Sequence, residues 1–149
     1  MVGKILEGPG NLIGKHAHVL HPHSDYAFVN QNDITICPSG ISLESCALIS
    51  QIQTAITAIW DSQLDFGDRV LIIGFGLIGA CIACLLKERS DIHIEIFETN
   101  PIRSQYAVEL GFNIVTNQPN SIDVCYYCAS TPNSLNQAMS QLKLEGKLI

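Results

Sequence analysis

A short apolar run that passes directly into closely spaced glycines constrains the fold of this chain more than any other feature. Residues 70–73 are Val-Leu-Ile-Ile, and residues 74–79 are Gly-Phe-Gly-Leu-Ile-Gly, which fits the pattern G-x-G-x-x-G. Apolar residues continue to Leu86, and residues 92–97 alternate between apolar and polar side chains until the last of them, before Glu98. This order predicts a strand, a glycine turn, a helix and a second strand.

Each glycine of the turn has its own physical role if the turn holds a dinucleotide. Gly74 lets the chain turn sharply off the strand, Gly76 leaves room for the backbone to approach a pyrophosphate, and Gly79 lets the helix pack close to the sheet. The N–H groups of the first helical turn, at Leu77 and Ile78, together with the helix dipole, then face the anion. We therefore predict that these five residues bind a cofactor.

Glu98 stands at the predicted carboxyl end of the second strand, about twenty residues past the third glycine. A carboxylate there accepts hydrogen bonds from the hydroxyls of the adenosine ribose and repels a 2′-phosphate, so NAD is favoured over NADP. Two other interpretations are a glycine-rich packing turn and a membrane span. The uncharged run between Arg69 and Lys87 is shorter than the span of about 20 residues that a membrane helix needs.

The composition fits a parallel sheet that is covered on both faces. The chain has 149 residues, of which 47% are hydrophobic and only 15% charged, and buried parallel strands read as continuous apolar runs. A net charge of −6 argues against a nucleic acid or an anionic membrane as partner. Residues 1–14 do not resemble a signal peptide, so cytoplasmic residence is expected.

Six cysteines include two pairs with C-x-x-C spacing, which invites a zinc or redox interpretation. Cys81 and Cys84 lie in the predicted apolar helix, and Cys125 and Cys128 lie in a predicted strand, where a separation of three places them on opposite faces. We therefore interpret the thiols as small buried apolar groups, without a disulfide framework.

The amino-terminal part is rich in loops, with short strands predicted at 15–20, 25–29 and 34–37. Four histidines lie there, at positions 16, 18, 21 and 23. A metal cluster is one interpretation, but no cysteine lies near them and the closest acid is Asp25. We favour a strand and turn that face solvent or a cleft, and predict no metal site.

The remaining elements alternate between helix and strand. Ser42 is predicted to cap a helix with an apolar stripe from Cys46 to Trp60, and Pro101 to begin a helix that ends at Gly111. Further strands are predicted at 113–115 and 122–128, a helix at 132–142 and the start of a fifth strand at 147–149. Only residues 116–121 join the third and fourth strands, so we predict a connection without a helix.

This order of elements resembles the medium-chain dehydrogenase/reductase family of zinc-type alcohol and polyol dehydrogenases. The residues that carry the resemblance are 22–29, 38–42 with 47–49, 67–74 and 145–149, besides the glycine motif. The resemblance implies an α/β fold, a Rossmann-type doubly wound parallel sheet that is incomplete at its last strand. It further implies that residues 1–40 are a remnant of the β-rich, GroES-like catalytic domain and its linker, and that 41–149 form the hinge helix and NAD-binding domain.

The same resemblance implies roles for residues outside the glycine turn. Arg103 matches a basic residue that helps to hold the adenosine ribose, and Ala129 and Ser130 follow the fourth strand, where the chain approaches the nicotinamide. Thr54, on the hinge helix, would face the nicotinamide from the other side. Where the family has a Glu or Cys zinc ligand, this chain has Ser50, whose neutral hydroxyl is a poor ligand.

The resemblance thus implies an NAD-binding part of an oxidoreductase that transfers hydride between an alcohol carbon and nicotinamide. Its substrate would be a small alcohol or ketone, and a homodimer remains open. Because the groups that would polarise the alcohol are not visible in the sequence, we name no catalytic residue and expect this chain alone to lack turnover. The alternatives are a non-catalytic nucleotide-binding or interaction module and, on the same turn, FAD or S-adenosylmethionine.

Overall fold

The computed structural model describes residues 1–117, 119–129 and 134–149. The chain divides into two compact units, Met1–Ser50 and Gln51–Ile149. The first unit is ten residues longer than the segment 1–40 named from the sequence, because helix α1 (Leu43–Ala47) contacts strands of that unit.

A three-stranded antiparallel sheet forms the first unit, with β1 (Val2–Lys4), β2 (His16–Val19) and β3 (Ile34–Ile36) in the order β1-β2-β3. This confirms two of the three predicted strands. The strand predicted at 25–29 is wrong, since those residues belong to the connection between the directly paired β2 and β3. Phe28, within that predicted strand, is 99% exposed.

The helix predicted after Ser42 is present but interrupted. Ser42 caps α1 by accepting a hydrogen bond from the Ser45 N–H at 3.1 Å, and a second helix, α2 (Ile49–Ser62), follows after Leu48. The predicted apolar stripe fails at Trp60, which is 74% exposed. Its neighbour Ile59 packs on the core, and adjacent helical residues lie about 100° apart around the axis.

The second unit is a five-stranded parallel sheet with helices, as the sequence predicts. Its strands are β4 (Arg69–Ile73), β5 (His93–Phe97), β6 (Asn113–Ile114), β7 (Ile122–Tyr127) and β8 (Leu142–Leu148). They lie side by side in the order β6-β5-β4-β7-β8. The helices that follow α2 are α3 (Leu77–Leu86), α4 (Pro101–Glu109) and α5 (Ser134–Gln141). This arrangement is a doubly wound, Rossmann-type sheet with β4 at its centre.

Two apolar clusters cover the two faces of the sheet. Val70 and Ile72 of β4 lie in the larger cluster, and Leu71 and Ile73 in the smaller one, as expected when successive strand residues point to opposite faces. All four side chains are almost fully buried. The apolar run of the sequence is therefore the central strand of the sheet.

The later strands agree with prediction in one respect and differ in another. Among residues 115–117 and 119–121, no helix is present, which confirms the stripped connection between β6 and β7. The fifth strand begins at Leu142 instead of residue 147, and it packs so close to β7 that a Cβ on Gly146 would lie 2.9 Å from the Ile122 carbonyl oxygen.

The prediction that the cysteines are buried is only partly confirmed. Cys46 and Cys125 are buried, and burial raises the pKa of the Cys125 thiol to about 12. Cys84 is exposed, because α3 buries the face that carries Ala83 and Cys84 lies one position further around the helix. Within the described ranges, no helix has both the length and the apolar character needed to cross a membrane.

Candidate dinucleotide-binding site

The candidate site lies where the carboxyl ends of β4, β5 and β7 meet. The Gly74 N–H donates to the Phe97 carbonyl at 2.9 Å, and the Cys128 N–H donates to the Ile73 carbonyl at 2.8 Å. These bonds tie the glycine turn to the segments that follow both neighbouring strands. In open α/β sheets this position, between β4 and β7 where the strand order reverses, is the one at which ligands bind.

Gly74 has the conformation and the surroundings that require glycine. Its φ is +94°, a region that L-residues with a side chain rarely adopt. A Cβ there would lie 3.0 Å from the Cys128 carbonyl oxygen and 3.2 Å from the Ala129 nitrogen. The chain after β7 therefore packs directly against the turn, which places Ala129 beside it.

Gly76 and Gly79 differ sharply in the space around them. A Cβ on Gly79 would lie 2.1 Å from the Gly74 carbonyl oxygen. A Cβ on Gly76 would have, among the described residues beyond its chain neighbours, no atom closer than Nη1 of Arg103, at 4.0 Å. Gly79 is thus required for packing of the helix, and Gly76 leaves an opening. This is the contrast that a pyrophosphate-binding turn needs.

The first turn of α3 faces the same opening. Gly76 is the N-cap residue and supplies no side-chain cap, while Leu77, half-exposed, and Ile78, packed on the core, begin the helix. The first N–H groups of a helix have no partner within it. Together with the helix dipole and the Arg103 guanidinium, they make the opening favourable for an anion.

Glu98 lies at the end of β5, as predicted, but its hydrogen bonds were not foreseen. One carboxylate oxygen accepts the N–H of Phe75 and the other accepts the N–H of Asn100, both at 2.7 Å. Phe75 is the residue between the first two glycines, and its ring is buried against Phe112. The acid therefore contacts the glycine turn itself.

Asn100 is a residue of the site that sequence reasoning missed. Its side-chain oxygen accepts the N–H groups of Ile102 at 3.0 Å and Arg103 at 3.2 Å, so it caps α4. An Asn directly before Pro101 is a recognisable helix start, and that signal was available in the sequence.

Three residues are predicted at the nicotinamide, and of these Ala129 lies beside the glycine turn. Thr54 lies on the exposed side of α2, next to Ala55, which is buried in the same cluster as Phe75. Its role, like that of Ala129, stays a prediction. Ser130 lies outside the described residues.

A separate feature lies in the first unit. His18 Nε2 and Ser50 Oγ are 2.9 Å apart, and His18 is only 7% exposed, which corrects the prediction that its strand faces solvent or a cleft. Burial lowers the pKa of the imidazole. In the part of the chain that the structure describes, no three or more His, Cys, Asp or Glu side chains gather in a way that could hold a metal ion.

Strand order, a glycine turn at the switch point and an acid after the second strand define a Rossmann-type α/β unit. No protein-family profile matches the chain. It is 27% identical to (R,R)-butanediol dehydrogenase of Bacillus subtilis over 139 residues, covering 85% of this chain and 40% of that protein. Sorbitol dehydrogenase of the same organism is 25% identical over 161 residues, covering 95% of this chain and 46% of that protein.

Solved structures show the same fold. The 2R,3R-butanediol dehydrogenase of Bacillus subtilis matches with a TM-score of 0.73 at 22% identity, covering 99% of this chain and 55% of that one. S. aureus TarJ in complex with NADPH matches with a TM-score of 0.79 at 17% identity, covering 99% of this chain and 52% of that one.

These relatives confirm, at low identity, the resemblance to zinc-type alcohol and polyol dehydrogenases of the medium-chain dehydrogenase/reductase family. This chain spans 40% and 46% of the length of the two curated relatives.

Proposed function

We propose that this chain is the NAD(H)-binding part of an oxidoreductase that transfers hydride between an alcohol carbon and nicotinamide. The observation that carries the proposal is the opening at Gly76, bordered by the N-terminus of α3 and the Arg103 guanidinium. The residues fit a dinucleotide there, because an anionic pyrophosphate can approach the backbone without displacing a side chain.

Each part of the cofactor has an assigned group in this proposal. The N–H groups of Leu77 and Ile78 hold the pyrophosphate. Arg103, which the family resemblance assigns to the adenosine ribose, lies beside Gly76 and also attracts the pyrophosphate. Glu98 accepts the ribose hydroxyls, and Thr54 and Ala129, with Ser130 beyond the described residues, flank the nicotinamide. The bound cofactor supplies hydride chemistry, and the protein supplies orientation and electrostatics.

The preference for NAD over NADP rests on the charge of Glu98. A 2′-phosphate on the adenosine ribose would lie beside this carboxylate and be repelled. The guanidinium of Arg103, close to Gly76, acts in the opposite direction. Since the motif assigns this carboxylate to the ribose hydroxyls, we propose that it decides the preference.

The wider assignment follows the relatives. We propose a small alcohol or ketone as substrate of the whole protein, with residues 1–40 as the remnant of a catalytic domain and its linker. Cytoplasmic residence and a homodimer stay predictions.

A non-catalytic nucleotide-binding module is the second candidate, and the bond between Ser50 and His18 favours it. A family zinc ligand is expected at position 50, but here a hydroxyl is engaged with a buried imidazole. Incubation of a longer protein that contains this chain with NADH and a panel of small ketones separates the two candidates. Oxidation of NADH that depends on the ketone supports an enzyme, and binding without oxidation supports a module.

Calorimetric titration with NADH and NADPH tests the cofactor assignment. We expect saturable NADH binding, weaker NADPH binding and loss of that difference in Glu98→Ala. A matched control is Glu95→Ala, on the same strand, where the carboxylate pairs with Arg69 at 3.4 Å. If the folded chain binds neither nucleotide, the proposal is overturned.

A further inference from the structure

Glu98 lies in a circuit of hydrogen bonds that does not require a nucleotide. Its carboxylate bridges the N–H of Phe75 in the glycine turn and the N–H of Asn100 before α4. Asn100 in turn accepts the N–H of Arg103, whose guanidinium returns to the space beside Gly76. The glycine turn and the start of α4, which border the opening, are therefore connected through the side chains of Glu98 and Asn100.

The circuit is anchored on both sides. The ring of Phe75 is buried in the larger cluster, so its N–H is held at a fixed place and points to the carboxylate. On the other side, Ser104 donates its hydroxyl to the Glu98 carbonyl at 3.2 Å and its N–H to the Asn100 carbonyl at 2.9 Å. Hydrogen bonds between backbone N–H groups and an ionised acceptor are among the stronger ones in proteins.

We propose that Glu98 is a positioning residue for the pyrophosphate part of the site, in addition to the ribose contact assigned above, so this inference rests on the proposed function. By holding Phe75 and Asn100 together, it fixes the glycine turn against the start of α4 and so sets the distance between the α3 N–H groups and Arg103. Its influence on affinity then extends to ligands that contain no ribose.

Electrostatics alone makes the opposite prediction, which gives the proposal a clear test. A negative charge beside an anion site weakens anion binding, so its removal would strengthen the binding of inorganic pyrophosphate. Glu98→Gln and Glu98→Ala remove the same charge, but only Gln keeps an oxygen that accepts an N–H. A difference between these two variants therefore measures positioning and not charge.

The first experiment is calorimetric titration of the 149-residue chain and both variants with inorganic pyrophosphate. We expect Glu98→Ala to bind at least about fivefold more weakly than Glu98→Gln, which corresponds to the loss of one hydrogen bond. Equal affinities of the two variants would overturn the proposal. Circular dichroism of both variants shows whether the sheet is retained.

Amide hydrogen exchange of the chain without ligand is the second experiment. We expect the N–H groups of Phe75 and Asn100 to exchange about tenfold faster in Glu98→Ala and no faster in Glu95→Ala. Unchanged exchange in Glu98→Ala contradicts the positioning role. This exchange measurement needs no nucleotide. If the chain fails to bind NADH, the proposed function is refuted, but the exchange rates still decide whether Glu98 holds Phe75 and Asn100 in place.

Discussion

Two carboxylates at opposite ends of the parallel sheet bind backbone N–H groups similarly but differ in their surroundings. Asp123, near the start of β7, accepts the Arg69 N–H at 2.8 Å and forms an ion pair with Lys143. Glu98, after the end of β5, accepts two backbone N–H groups, and no Lys or Arg pairs with it among the described residues. The first charge is neutralised within the fold, whereas the second is balanced only by backbone dipoles.

The pKa of Asp123 reflects this difference. Burial by itself raises the pKa of that carboxyl, but the hydrogen bonds from Lys143 and from the Arg69 N–H outweigh burial and lower it. The amino end of the sheet is thus a structural junction. At the carboxyl end the backbone donors and an opening at Gly76 leave a place for a ligand.

The largest effect is expected from Gly79→Val, at the carboxyl end. Its Cβ would lie 2.1 Å from the Gly74 carbonyl oxygen, and neither piece of backbone can move without separating α3 from β4. We expect a loss of about 3 kcal/mol or more in the free energy of unfolding, measured by urea denaturation. Stability close to wild type would show that the helix does not depend on this contact.

A smaller loss is expected from Asp123→Asn, at the amino end. The substitution removes the charge that binds Lys143 while keeping an oxygen for the Arg69 N–H. We expect the free energy of unfolding to fall by about 1 to 2 kcal/mol, with NADH affinity unchanged. A loss of NADH binding in a folded Asp123→Asn chain would break the division between a structural end and a ligand-binding end.

The pH dependence of the free energy of unfolding should reflect the interactions of Asp123 with Lys143 and Arg69. Because the folded pKa of Asp123 is lowered, the carboxylate stabilises the fold above its unfolded pKa of about 4, and this contribution is lost as the pH falls through the folded pKa. Urea midpoints measured from pH 6 to pH 3 should therefore fall less steeply in Asp123→Asn than in wild type. The pKa of Asp91 is lowered by its hydrogen bond from Arg89. Asp91 is present in both proteins, so both keep its contribution to the fall of the urea midpoint with pH.

The smallest change in stability is expected from Arg103→Gln. Its guanidinium borders the opening at 4.0 Å from the Cβ position of Gly76, and the backbone cap by Asn100 is retained. We expect an unchanged melting temperature and NADH affinity reduced about tenfold, as for one charge-assisted contact. Arg69→Gln, at the other end of the sheet, is the control and should leave NADH affinity unchanged.

The sequence predicted the parts of the site that depend on backbone and spacing. An apolar run, three glycines and an acid at set separations place Gly74, Gly76, Gly79 and Glu98 at one edge of a parallel sheet, and the structure confirms their positions. The contrast between the crowded Gly79 and the open Gly76 follows from the same pattern.

Features that depend on side-chain partners or tertiary pairing were not predictable. Periodicity says nothing about which N–H groups a carboxylate accepts, so the bonds of Glu98 to Phe75 and Asn100 were missed. The residue types at 25–29 predicted a strand, but whether such a segment pairs depends on a neighbouring strand. The burial of His18 against Ser50 likewise joins residues 32 positions apart.

The most direct test of the central claim is NADH titration of Gly76→Ala, compared with wild type by calorimetry. Gly76 has an extended backbone with φ −77°, and among the described residues an added Cβ would have only Arg103 Nη1 within 4 Å, so the fold should tolerate it. If the opening receives the pyrophosphate, Gly76→Ala keeps the wild-type melting temperature and loses NADH affinity by at least about tenfold. Unchanged NADH affinity in this variant would show that the nucleotide, if it binds, does not bind at the glycine turn.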